Sequence, residues 1–73
     1  MSKFKIMLIT KKDCVDFVKA VTKVNGKVIL EDGEGFRVNG KSLLGAALAS
    51  VEWDDLWVIS EEDIYSLVRP WVV

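Results

Sequence analysis

Ser42 stands immediately before Leu43-Leu44-Gly45-Ala46-Ala47-Leu48-Ala49, so its hydroxyl opens an apolar stretch at the point where a helix leaves its first N–H groups without partners. A serine there caps the helix. Cys14 falls near the start of another helical pattern beside Lys11 and Lys12, a setting that would stabilise a thiolate. The chain has no histidine, however, so Cys14 lacks a base and reads as a small buried hydrophobe. The carboxylates Glu52, Asp54, Asp55, Glu61, Glu62 and Asp63 flank a strand-like run at opposite ends, and the second group supplies acids to the first turn of a final helix. They read as solvated ends and not as a metal cluster. The glycines of Asp32-Gly33-Glu34-Gly35 precede a strand, where a phosphate-binding loop would precede a helix. The residues thus name no catalytic group, no metal ligand and no cofactor site.

The elements that position these side chains follow from periodicity. In residues 3–10, Phe4, Ile6 and Leu8 alternate with Lys5, Met7 and Ile9, which predicts a first strand. Asp13 is placed to cap a helix with Cys14, Phe17, Val18 and Val21 on its apolar side, ended by Asn25-Gly26. Residues 27–31 and 36–38 predict two short strands joined as a hairpin, and Asn39-Gly40 turns the chain toward Ser42. The helix after Ser42 is too apolar all round to be fully solvated. A last strand spans 56–59, with Trp53 and Trp57 expected on one face of it. Ser60 with Glu61, Glu62 and Asp63 makes a near capping box for a final helix that carries Ile64, Leu67, Val68 and Trp71 and stops at Pro70. The expected core is Phe4, Ile6, Leu8, Phe17, Val18, Val21, Leu48, Ile64 and Leu67.

This order, β-α-β-β-α-β-α, predicts an α+β open-faced two-layer sandwich, a four-stranded antiparallel sheet with helices on one face. Element counting leaves a ferredoxin-like strand order, 4-1-3-2, open as an alternative. Seventy-three residues predict a single domain over 1–73. A composition 51% apolar and 29% charged is that of a globular chain, and the formal net charge of -1 gives no field that would draw nucleic acid or anionic lipid. One cysteine excludes an internal disulfide framework and points to a reducing, cytoplasmic setting. The first apolar run is too short for a membrane span. Three tryptophans are a heavy load for this length, and an exposed one would mark a contact surface.

From Lys23 onward the chain resembles the HPr family, the histidine-containing phosphocarrier proteins of the bacterial sugar phosphotransferase system. The match is carried by Val38-Asn39-Gly40-Lys41-Ser42-Leu43-Leu44-Gly45, which is similar to the segment around the family's regulatory serine. The resemblance implies a sheet in the order 1-4-2-3. It also implies that Ser42 is a substrate for an ATP-dependent HPr-serine-type kinase, and that the protein meets other proteins, such as that kinase or a transcriptional regulator. In the family a Gly-Ile-His-Ala-Arg-Pro type loop carries the phosphoacceptor. Here the corresponding loop reads Ile9-Thr10-Lys11-Lys12-Asp13-Cys14, with Thr10 near the histidine position, Lys12 near the arginine position and Asp13 in place of the proline. A threonine ester is too stable to relay phosphate as a phosphoramidate does.

The expectation is therefore a non-catalytic HPr-like regulatory or adaptor domain, not an enzyme. Its contact surface would combine Lys11 and Lys12 with Leu43, Ala46 and Ala47. The alternatives are a phosphocarrier component with Thr10, Cys14 or Ser42 as acceptor, and a ferredoxin-like small-ligand domain.

Overall fold

The computed structural model describes residues 1–73. Strand β1 (Ser2–Ile6) leads to helix α1 (Lys11–Thr22), then β2 (Val28–Glu31), β3 (Arg37–Asn39), α2 (Leu43–Glu52), β4 (Leu56–Ser60) and α3 (Tyr65–Val68), which tightens into a 3-10 turn over Arg69–Trp71. The four strands form one antiparallel sheet in the order β1-β4-β2-β3, and the three helices pack on it. This order differs from the ferredoxin-like 4-1-3-2, which sets that alternative aside as a fold.

Register fixes which side of the sheet is covered. The rung Phe4–Val58–Leu30–Val38 faces the helices, as does Ile6–Leu56 below it. The next residue along each strand points the other way, giving the outer rung Lys5–Trp57–Glu31–Arg37. Phe17, Val21, Leu30, Val58, Ile64 and Val68 form the heart of a cluster of 14 buried residues. Trp71 closes one edge of that cluster, meeting Phe17 ring edge to face at 5.6 Å.

Most of the expected core lies in this cluster or against it, with Leu48 the exception. Leu48 is on the solvent side of α2, and Ala46 and Ala49 occupy the buried side in its place. Strand β1 ends at Ile6 and does not reach Thr10, because its partner β4 begins at Leu56, opposite Ile6. From there the C-terminal residues take over the outer edge, with Met7 N donating to Trp71 O at 2.9 Å and Val73 N to Lys5 O at 3.0 Å. Ser60 does not cap a helix. It ends β4, paired with both Ser2 and Val28, and its hydroxyl accepts from Glu62 N at 3.2 Å in the turn that follows. Trp53 and Trp57 do not share a strand face, since Trp53 is the C-cap of α2 and packs on the core while Trp57 lies on the outer rung. None of the three tryptophans is exposed.

The outer side of the sheet is covered by charge. Glu31 receives Arg37 at 2.9 Å and Lys3 at 3.4 Å, and the Lys3 ammonium sits 5.1 Å from the Trp57 ring.

Phe17 is wholly buried and joins α1 to Trp71. Phe17→Ala should destabilise the fold by about 3–5 kcal/mol, which is comparable to the whole stability of a chain this small at about 0.05–0.15 kcal/mol per residue. Urea unfolding followed by tryptophan fluorescence checks it, with a largely unfolded variant in water as the expected result.

Candidate functional site

Two helix beginnings were singled out by the sequence, and they are built differently. At α1 the cap is Thr10 and not Asp13. The Thr10 hydroxyl accepts from Asp13 N at 3.0 Å, and the Asp13 carboxylate accepts in return from Thr10 N at 3.1 Å and Ile9 N at 3.0 Å. This is a reciprocal capping box with Asp13 as its third helical residue. The hydrogen bonds from the Thr10 and Ile9 backbone N–H groups hold the Asp13 carboxyl below its ordinary value. The chain's own carboxylate therefore lies on the two amides that lead into α1, those of Ile9 and Thr10, and sets negative charge at that helix end.

At α2 the cap is Ser42, as expected, with its hydroxyl accepting from Gly45 N at 3.2 Å. The approach to this cap is tight. Gly40 N donates to Val28 O at 2.7 Å, and a Cβ on Gly40 would fall 2.8 Å from a Val28 methyl and 3.0 Å from that carbonyl. Asn39 shapes the same turn by accepting from Lys41 N at 2.9 Å through its side chain and from Ser42 N at 3.1 Å through its carbonyl. No acidic residue occupies the first turn of α2, so its opening amides face no carboxylate of that turn.

Helices α1 and α2 lie side by side in opposite directions. Cys14 Sγ meets Ser50 Oγ at 3.5 Å near the start of α1, and Lys41 Nζ donates to Val24 O at 2.6 Å near its end. Between them runs a groove of about 280 Å³ lined by Ile9, Thr10, Lys11, Cys14, Leu43, Ala47, Ser50 and Val51. The structure thus brings Lys11, Leu43 and Ala47 to one groove, while Lys12 is exposed, does not line it and pairs with Asp16 at 3.5 Å.

Ala46 is a correction. It is wholly buried in the core and offers nothing to a partner. The exposed side of α2 consists of Leu43, Leu44, Ala47, Leu48 and Val51, with Leu44 71% and Val51 84% exposed and Ile9 adding 76% of its own surface across the groove. Leu44, Leu48, Val51 and Ile9 were not assigned to the surface from sequence. The available signal was the 3.6-residue spacing of two stripes on α2, one of large residues and one of alanines, and size alone did not say which faced the sheet.

Cys14 is buried and its sulfur has only Ser50 beside it. No three His, Cys, Asp or Glu side chains are grouped so as to hold a metal ion. No helix is long and apolar enough to cross a membrane.

Thr10→Ala removes one half of the capping box and should cost about 1 kcal/mol, while Thr10→Ser should be close to neutral. Asp13 adds a pH dependence of known sign. Its folded-state value lies below the ordinary 3.8, so between the two values the unfolded chain binds more protons and stability rises with pH. The contribution is complete above the ordinary value and is lost as pH falls through the lowered one. Urea midpoints measured on the acid side should fall less steeply for Asp13→Asn than for the parent chain; identical slopes would contradict this.

No family model, curated protein or solved structure matches the chain. Function has to be read from the two helix beginnings and the surface between them.

Proposed function

We propose that this chain is a non-catalytic HPr-like domain, regulatory or adaptor in role, that acts through protein contacts in a reducing cytoplasm and is controlled at Ser42. The observation that carries the reading is the solvent-facing apolar side of α2, which begins at the Ser42 cap and continues to Val51. Large aliphatic side chains in one contiguous exposed patch are the mark of a contact surface. Lys11 and Lys12 place positive charge at its margin, and Leu43 and Ala47 supply its floor.

Support for a likeness to HPr comes from the strand order β1-β4-β2-β3 together with the segment from Val38 to Gly45. Support for the loss of phosphate relay comes from α1. The Asp13 carboxylate already holds the Ile9 and Thr10 amides that lead into it, and the Thr10 hydroxyl already accepts a hydrogen bond there. A phosphate on Thr10 would have to displace that carboxylate and would meet like charge. A phosphate on Ser42 meets no such obstacle. It would replace a neutral cap by a dianion that the α2 dipole favours by about 0.3–1 kcal/mol. It would also set charge beside Leu43 and so change which partner docks there. An HPr-serine-type kinase and a transcriptional regulator are the partner kinds this reading calls for.

Two labelling experiments test it. Incubation with ATP and an HPr-serine-type kinase should place phosphate on Ser42 alone, as read by mass spectrometry. Phosphate on Ser2, Ser50 or Ser60, or none under conditions that modify an authentic HPr fully, would leave Ser42 as a helix cap only. Incubation with phosphoenolpyruvate and the first enzyme of the phosphotransferase system should leave the chain unlabelled. An acid-labile, stoichiometric label would overturn the non-catalytic reading.

A further inference from the structure

Helix α2 carries its charges in places that are unfavourable for a helix standing alone. Its last turn holds no basic residue and ends in exposed Glu52, with exposed Asp54 just beyond, so acids sit against the negative end of the dipole. Lys41 lies just before the positive end. Unlike Asp55, which pairs with Lys5 at 3.0 Å, neither Glu52 nor Asp54 has a cationic partner within the chain. Helix α1 already lies antiparallel on one side of α2, and a second antiparallel helix on the exposed side would make both placements more favourable.

We propose that two copies of this chain associate through α2, antiparallel, about a two-fold axis between Ala47 and Leu48. This rests on the reading of α2 as the contact surface and names its occupant as a second copy. A two-fold interface must be its own complement, and α2 meets that condition in chemistry and in position. The axis lies at the midpoint of Leu43–Glu52. It sets Leu44 opposite Val51, the two most exposed positions of the stripe, and Ala47 opposite Leu48, a small side chain against a large one. It also brings Glu52 to the positive end of the partner helix, where Lys41, its ammonium donating to Val24 O, adds positive charge near the copy's Asp54. An anionic lipid surface, by contrast, would attract the lysine end and repel the acidic end. Ser42 falls beside the copy's Glu52 and Asp54, so charge added at Ser42 would oppose the pairing.

Sedimentation equilibrium on the full chain tests this. Because a single ten-residue seam is smaller than a standard interface, the dimer should be half-formed on the order of tens of micromolar. Val51→Asp should shift the equilibrium at least about tenfold toward monomer without changing far-ultraviolet circular dichroism, since a tenfold change in Kd needs only the loss of one good contact. Ser42→Asp should weaken association in the same direction. Under mild oxidation, an equal mixture of Leu44→Cys and Val51→Cys chains should give the mixed disulfide in preference to either like pair. A monomer up to about 1 mM, more than about tenfold above the expected midpoint, would overturn the proposal. So would a dimer unaffected by Val51→Asp or Ser42→Asp, or like-paired disulfides in place of the mixed one. Kinase and phosphoenolpyruvate labelling need no dimer, so a monomer modified at Ser42 would sink self-association alone.

Discussion

The close seating of α2 through Ala46 and Ala49 is the constraint on which the rest of the surface depends. Both alanines are essentially fully buried, and the Gly45 backbone lies so near β3 that an added Cβ would stand 3.1 Å from Asn39 O. Only small side chains fit at that separation, because protein interiors leave no room for an extra branch without displacement. The helix therefore turns its small side inward and its large side outward. An ordinary amphipathic helix does the reverse of this, with large apolar residues inward and polar ones outward. The exposed apolar surface of α2 is thus a consequence of its packing.

The contrast between the two helix beginnings follows from where acids fall in each first turn. In α1, Asp13 is three residues after Thr10 and closes a capping box. In α2, Gly45 occupies the equivalent place, its N–H donating to the Ser42 hydroxyl while Ala46 N donates to Ser42 O at 2.9 Å. One end thus already carries a carboxylate and the other can still receive negative charge. That difference separates the Thr10 cap, where added phosphate would meet a carboxylate, from the Ser42 cap, where it would meet none in the first turn.

Much of the fold was legible from periodicity. The seven elements follow from alternation in β1, the 3.6-residue stripe of α1 and the turn residues around Gly33, Gly35 and Gly40. Strand order did not follow from element counting, and the resemblance to HPr had to supply it. The errors cluster where local pattern and tertiary pairing compete. Ser60-Glu61-Glu62-Asp63 has the composition of a helix start, but pairing with Ser2 and Val28 holds Ser60 in the sheet. Leu48 and Ala46 were interchanged because burial was assigned by hydrophobicity, when the space available selected for size. Asp13 and Thr10 were likewise exchanged as cap, since both residue types favour that position and only the backbone shows which one precedes the first helical turn.

The two open surfaces of the molecule are built in opposite ways. Beyond the sheet, the outer rung is screened by the ion pairs of Glu31 with Arg37 and Lys3, by Lys3 over Trp57 and by Lys5 with Asp55. Such an arrangement covers apolar surface with charge and discourages a second sheet from stacking on it. Beyond the helices, α2 has no comparable screen. None of Leu43, Leu44, Leu48 or Val51 lies under a charged side chain's hydrogen bond or ion pair, and the only charge on that helix is Glu52 at its end. The chain thus builds charge over one apolar surface and leaves the other, on α2, bare to solvent.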